Sequence, residues 1–417
     1  MREIFMNELK DVKDRQAWGI AFVVFGVLLG NTLYEFVGKS VDLVNMFMFL
    51  GILLIIDYDR LLQLNFPRLT KKTLLLYVFQ LYILFVFLFY RHSFAAGSFT
   101  SDIAYLFFSL ALITALASNS KCCRWTKAIK VSFIVSTIII FLITYVLFTE
   151  DNLFVGRFRF SSGADPLQMG FGLTSCFAVF LLYDCKGFFG KIIRIIDIAF
   201  LIIAEFAFSC RTAIFTCVIM LILYFVQLIR INLGAQKPLS KIILKLFLAL
   251  LVFFITFITV YNLVPGIKTV IDNMGNYMLR GIYTLYGNNS LGIDESASTR
   301  VYTQRVSLDI IWNETNPFKV LFGHGYMTLY VDVPILQAML DLGIVGWLLY
   351  TYIVVLNPIL TIWNKSKIIL ASKDENYRLQ YLAFTLLAVT AIGKQLTAAL
   401  PYGHDVYLGA ILCWFLA

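Results

Sequence analysis

Apolar residues run along this chain in long blocks separated by short polar segments, and most blocks are apolar on every side of a helical projection. A block of about 18 residues or more crosses the roughly 30 Å of hydrocarbon in a bilayer as a helix. Lipid leaves only helices and closed barrels able to satisfy their backbone, and barrel strands alternate in polarity where these blocks do not. The pattern therefore predicts an all-α polytopic membrane protein. Its twelve spans fall at residues 17–35, 41–57, 73–90, 99–117, 128–148, 167–183, 192–208, 211–230, 243–263, 334–357, 379–398 and 403–417.

The segments between these blocks sort by charge. "DYDRLLQLNFPRLTKK", "SNSKCCRWTKAIK", "DCKGFFGKIIR", "RINLGAQKPLSK" and "NKSKIILASKDENYR", together with the N-terminal segment, hold most of the 34 Lys and Arg residues. They alternate with basic-poor segments, so the positive-inside rule puts the basic set and both termini in the cytoplasm. Outside lie a medium loop, "TEDNLFVGRFRFSSGADP", and a long one over residues 264–333. A long structureless loop is uncommon in a compact protein. Short surface helices are therefore expected in "YNLVPGIKTVIDNMGNYML" and "STRVYTQRVSLDIIWNE". The chain divides into spans 1 to 9 (residues 1–263), the long outer loop (264–333) and spans 10 to 12 (334–417), all one membrane domain.

Composition sharpens this reading. At 60% hydrophobic and 14% charged residues, with mean hydropathy +0.82, the chain is too apolar for a water-soluble fold. Its seven cysteines lie in predicted spans and one short loop, without the spacing of a zinc site or a disulfide framework. The N-terminal segment carries Arg2, Lys10, Lys13 and Arg15 before an apolar run without a small-residue cleavage site, so the first span reads as retained.

Outer basic residues run against the charge bias and call for explanation. They include Arg157, Arg159, Arg211, Arg280, Arg300 and Arg305, and all three histidines, His92, His324 and His404, are also outside. Arg211 in "FSCRTAIF" stands at a tight junction between two spans, where a guanidinium fork and a helix N-terminus both suit a phosphate. Snorkelling to lipid headgroups would also place an arginine there. In an extended "GRFRF", Arg157 and Arg159 share one face and Phe158 and Phe160 the other. Glu205, Asp341 and Lys394 are the deepest charges, each near the outer end of its span. Such groups face protein or water, so they predict either a polar cavity open to the outside or an ion pair of Lys394 with one of the carboxylates.

Taken in order, an outer "RFxxGADPxxxG" turn, an "SCRTA" junction, a long loop with spaced arginines, and "GHGY" followed by "LQAMLDLGIVGWLLY" resemble the bacterial O-antigen polymerase and ligase superfamily. The resemblance covers roughly residues 156–349. It implies an enzyme of the bacterial inner membrane that acts on its periplasmic side upon glycans carried by undecaprenyl pyrophosphate. The polymerases of that superfamily build lipopolysaccharide or capsule by moving a growing chain onto a new lipid-linked repeat unit; the ligases move it onto a lipid core. Carried over, Arg211 would contact the pyrophosphate, Arg159 and Arg300 would be further substrate contacts, and the turn at Gly323 to Gly325 would shape the site. Ligases carry a His-Asn pair where this chain has "VDVP", and its histidine lies eight residues earlier, which favours the polymerase.

Such a transfer needs the leaving pyrophosphate neutralised and an acceptor hydroxyl deprotonated. With no paired-carboxylate motif on an outer loop, the arginines are expected to stabilise the leaving group without a metal or other cofactor. Catalysis is thus expected of Arg211 with His324, Asp332 or Glu205 as rival bases. Substrate binding is expected of Arg157, Arg159, Arg280, Arg300, Arg305, Asp341 and Lys394. No covalent nucleophile is evident, so a single inverting displacement is expected. The implied partners are lipid-linked oligosaccharide donor and acceptor, membrane lipid, a chain-length regulator and a flippase, and no nucleic acid. A ligase, or a flippase for lipid-linked oligosaccharides, are the competing classes; deep charges confined to the outer side and a long outer loop favour an enzyme over a flippase.

Overall fold

The computed structural model describes residues 14–38, 42–92, 99–119, 125–149, 158–161, 163–185, 187–234, 279–284, 294–371, 375–397, 401–402 and 404–416, with isolated positions between 234 and 294. Among these residues every regular element is helical, and one isolated bridge joins Arg91 to Tyr326. The helices are α1 (Arg15–Val37), α2 (Leu43–Ile55), α3 (Tyr58–Leu62), α4 (Lys71–Phe89), α5 (Phe99–Ser118), α6 (Trp125–Thr149), α7 (Pro166–Leu182), α8 (Phe188–Phe208) and α9 (Arg211–Gly234). They continue with α10 (Glu295–Trp312), α11 (Pro317–Phe322), α12 (Pro334–Thr351), a π-helical turn (Tyr352–Leu356), α13 (Asn357–Ala371), α14 (Glu375–Thr397) and α15 (His404–Leu416).

Short polar residues set where these helices begin. Asp14, Asp42 and Thr70 cap α1, α2 and α4, each accepting a backbone N–H from its first turn. Asp165 caps α7 through the N–H of Leu167 at 3.0 Å, and Pro166 follows at the first helical position. The "ADP" triplet is thus a helix start. The second surface helix expected in the long loop is present as α10. The first lies mostly outside the described residues, as does the span expected over 243–263.

Among the described residues, five helical segments are long and apolar enough to cross a membrane: Arg15–Val37, Lys71–Phe89, Trp125–Thr149, Arg211–Ile229 and Pro334–Asn364. Their outward faces carry large apolar side chains at helical spacing. On α4 these are Leu74, Val78, Leu81, Phe85 and Leu88, and on α9 Phe215, Val218, Ile222 and Val226. Exposed stripes of that extent suit hydrocarbon rather than water. At about 20 Å, the 13 residues of α15 make a short helix, as the sequence predicts for the last apolar block.

Among the described residues most buried apolar side chains fall in two large clusters. One gathers residues of α1, α6, α7 and α8 with part of α14; the other gathers α2, α4, α5, α12 and α15. Glycines let α1 and α2 pack closely where the clusters meet: a Cβ on Gly19 would lie 2.7 Å from the Gly51 carbonyl oxygen, and one on Gly30 would lie 2.8 Å from the Val44 Cα. Close approach through small residues is a main source of helix association in lipid, where burial of apolar surface contributes little.

α12 breaks at Gly343, whose φ of 66° and ψ of −169° are open to glycine and strained for other residues. The break turns carbonyls toward the segment before the helix. His324 N–H donates to the Leu340 carbonyl at 2.9 Å and Gly325 N–H to that of Asp341 at 3.1 Å. Tyr82 Oη donates to the carbonyls of Leu342 and Phe322, at 2.9 and 3.2 Å. The Gly-His-Gly turn is thus wedged into the kink of α12, and Tyr326 N–H and O tie it onward to Tyr90 and His92 at the end of α4.

Candidate functional site

α8 ends at Phe208 with Ser209 in a left-handed cap, and α9 starts at Arg211, so the junction is only two residues long. Arg211 therefore stands on the first position of α9, where the helix dipole is positive and a cation is disfavoured without an anion nearby. Asp294 supplies that anion through a short ion pair between Arg211 Nη2 and Asp294 Oδ2. The carboxylate is 4% exposed and the guanidinium 25%. Gly281 packs against the guanidinium so closely that a side chain at that position would overlap it.

Asp294 has a second duty. Its Oδ1 accepts the N–H of Ala297 at 3.1 Å and caps α10. Its own N–H donates to Thr284 Oγ1 at 3.1 Å, and Thr284 in turn donates to the Arg280 carbonyl. Burial pulls the Asp294 carboxyl upward, but the Arg211 hydrogen bond, the Ala297 N–H and the charges of Arg211 and Arg280 outweigh it and hold the group below its ordinary 3.8. A carboxylate with a depressed pKa stabilises the fold above its unfolded value and loses that contribution as pH falls through the depressed one. Hydrogen exchange of residues 294–312, corrected for the intrinsic rate, should thus show constant protection from pH 8 to 5 and a loss only below about 3.8. Protection already lost between pH 7 and 6 would rule out Asp294 as the group that docks α10.

Two turns along α10, Arg300 Nε donates to Asp332 Oδ2 at 3.0 Å. Both side chains are partly exposed, at 19% and 23%. Six residues of helix rise about 9 Å, which sets the distance along α10 between Asp294 and Arg300. Arg159 is exposed at the edge of the same region: Phe158 N–H donates to the Ala207 carbonyl at 2.9 Å, and Phe158 and Phe160 both pack on Phe208. The alternation expected of "RFRF" holds for Phe158, Arg159 and Phe160, whereas Arg157 lies outside the described residues. Arg305 is exposed on α10, and Arg280 is half-buried beside Asp294.

His324 sits elsewhere. Its Nε2 is 2.8 Å from Glu314 Oε2, and Glu314 also accepts the Asn316 N–H and faces Lys319. The Asn316 N–H foremost, then His324 and Lys319, hold the Glu314 carboxyl below its ordinary range. An ionised carboxylate only accepts, so Nε2 is the protonated nitrogen. Glu314 lies just past the C-terminus of α10 and Asp294 at its N-cap; 18 helical residues span about 27 Å. The helix thus separates His324 from Arg211 by far more than side-chain reach, and the two do not meet at one reacting bond. His92 bonds the His324 carbonyl through Nε2 at 2.7 Å, while the side chain of His404 lies outside the described residues.

The three deep charges expected to share a cavity are placed apart. Glu205 is buried between α8 and α9 with Cys217 Sγ 3.9 Å away. Asp341 is fully buried at the α12 kink, where Gln337 donates to it at 2.9 Å and Thr328 N–H at 3.3 Å. Lys394 lines a small cavity of about 50 Å³ with Val23, Leu28, Gln168, Ser175 and Leu412, and its Nζ stands 5.9 Å from the Phe171 ring. Neither carboxylate lines that cavity, and among the described residues neither forms an ion pair with Lys394. Each helix turns its charge toward a different neighbour, so equal depth does not bring them together.

Sequence reasoning missed Asp294, the residue that holds Arg211. It also missed Glu314, and the pair of half-buried Arg91 with buried Asp102 at 3.1 Å, which ties the end of α4 to α5. The "D-E-S-A" start of a helix could have marked Asp294 as a cap, but its partner lies 83 residues away in the chain. What the arrangement offers chemically is a set of guanidinium groups beside two carboxylates, at an end of the helix assembly where helices and loops meet. No family model matches this chain, and no curated protein is significantly similar to it.

Proposed function

We propose that this chain is a polysaccharide repeat-unit polymerase, a glycosyltransferase that uses a glycan linked to undecaprenyl pyrophosphate as donor and a second lipid-linked repeat unit as acceptor. In this reading twelve spans cross a bacterial inner membrane, both termini are cytoplasmic, and the Arg211 end faces the periplasm. One observation carries it: Arg211, Arg280 and Arg300 are set around α10 with Asp332, beside a junction of apolar helices, where a lipid-linked phosphate would be presented. The sequence resemblance supplies the substrate class.

Bond changes follow from those groups. The acceptor hydroxyl oxygen attacks C1 of the donor sugar, the C1–O bond to pyrophosphate breaks, and the electron pair leaves on the undecaprenyl pyrophosphate. Arg211 and Arg280 stabilise the charge that develops there. The hydroxyl proton passes to Asp332, a partly exposed carboxylate paired with Arg300. His324, at the far end of α10, orders the turn with Glu314. Glu205 and Asp341 act as internal structural groups, and Arg159 and Arg305 as outer contacts for the glycan or its phosphate.

Deleting the gene tests the reading on a gel of labelled glycans: single repeat units outside indicate a lost polymerase. Long chains left on the carrier would indicate a ligase instead, and substrate trapped inside a flippase. In proteoliposomes fed with lipid-linked repeat units, polymer should form at the same rate with and without a chelator. The product linkage should be inverted relative to the donor, and retention would refute the single displacement.

A further inference from the structure

We infer that Asp294 is the resting ligand of the Arg211 site: a phosphate or pyrophosphate group that enters must displace this carboxylate, and in doing so releases the first turn of α10. The inference takes the nature of the incoming anion from the polymerase reading. Its geometry comes from the ion pair itself.

Four features converge. Arg211 presents one arm of its fork to Asp294 Oδ2, so the acceptor position that a phosphate oxygen would take is already filled by a carboxylate oxygen. Gly281 closes another side of the guanidinium, leaving no room there for a side chain. Arg280 adds positive potential at Asp294, which a pyrophosphate, with more charge than a carboxylate, would exploit further. Asp294 also holds the α10 cap on its other oxygen, so it cannot leave Arg211 without moving the first turn of that helix.

The consequence reaches Asp332. Arg300 rides on α10 three residues beyond Ala297, whose N–H Asp294 caps, and it is bonded to Asp332. When the first turn shifts, that bond is stretched, and the Asp332 carboxylate becomes free to accept a proton as donor pyrophosphate binds. Asp294 is thus a positioning residue: it sets the affinity of the anion site and couples its occupancy to the base.

The variant to use is Asp294→Asn, because asparagine caps a helix as well as aspartate does while giving up the charge. Inorganic pyrophosphate titrated into the purified full-length protein in detergent is the probe, read by calorimetry and by hydrogen exchange of residues 294–312. If Asp294 occupies the site nine-tenths of the time, the Asn variant binds about tenfold more tightly. Wild-type α10 should lose protection as pyrophosphate binds, and the Asn variant should start with protection already reduced. Arg211→Ala should also start unprotected and show no response to the probe.

Equal affinities in wild type and Asn variant overturn the inference. So does pyrophosphate that binds without changing exchange in α10, or that binds neither protein. With lipid-linked substrate, Asp294→Asn should lower both KM and kcat, whereas a merely structural cap would leave KM unchanged. The polymerase reading is judged separately by polymer formation. Polymer made with equal pyrophosphate affinities refutes the Asp294 inference alone, and an affinity difference without polymer refutes the polymerase alone.

Discussion

Arg211→Ala should abolish polymer formation while the protein still reaches the membrane. Loss of one group that stabilises developing charge in a water-poor site typically costs about a hundredfold to a thousandfold in rate. Arg211 also holds Asp294, so its removal leaves a carboxylate that is only 4% exposed without its partner. Structural damage could therefore mimic a catalytic loss. The double variant Arg211→Ala/Asp294→Asn separates the two, because it removes the orphaned charge and keeps the cap. It should be more stable than Arg211→Ala, matching Asp294→Asn alone, and still make no polymer. Arg211→Lys keeps the charge but loses the planar fork, and should restore a small part of the activity. Activity recovered along with stability in the double variant would remove Arg211 from the site.

How far such an outcome could be foreseen differs between fold and site. Helix limits were legible because apolar blocks end at caps that act locally. The block expected over 73–90 appears as Lys71–Phe89, and that over 128–148 as Trp125–Thr149. Position along a helix was partly legible for the same reason: Glu205 and Lys394 lie in the last turns of their helices, whereas Asp341 is the eighth residue of α12, at its kink. Azimuth was not. A helix that is apolar all round has no polar stripe to say which side faces a neighbour, so nothing local separates a charge that turns to Cys217 from one that turns to Gln337.

The arginines show the same division. Arg211 at a helix junction was legible from the sequence, but the partners of the arginines were not, because Asp294 and Asp332 approach through folding of distant segments. The rivalry between His324 and Asp332 was likewise open on spacing alone, since both precede the same helix. The length of α10 bears on it, because it holds Glu314 and His324 about 27 Å from the Asp294 end. That separation could be read only once the two ends of the helix had known neighbours.

Gly343→Ala should damage the protein as severely as any single change outside the site. At φ 66° and ψ −169° an alanine pays about 1–3 kcal/mol of backbone strain. Its Cβ would also come within 2.5 Å of the Leu321 carbonyl, backbone that cannot swing away as a side chain can. Two responses are open to the chain, and both undo the same contacts. If α12 keeps its break, the Gly323 segment must retreat; if it straightens into a regular helix, the carbonyls of Leu340 and Asp341 turn away from the N–H groups of His324 and Gly325. Either way the turn leaves α12, and with it the tie from Tyr326 to Tyr90 and His92. Purified Gly343→Ala should unfold several degrees below the wild type or elute as aggregate, whereas Val345→Ala, on the exposed face of the same helix, should behave as wild type. Gly323→Ala, with φ at 85° against the same stretch of α12, should match the Gly343 variant. A Gly343→Ala protein with unchanged melting temperature would show that the turn is not anchored by the kink, and would reopen the region around His324 as a separate, movable element.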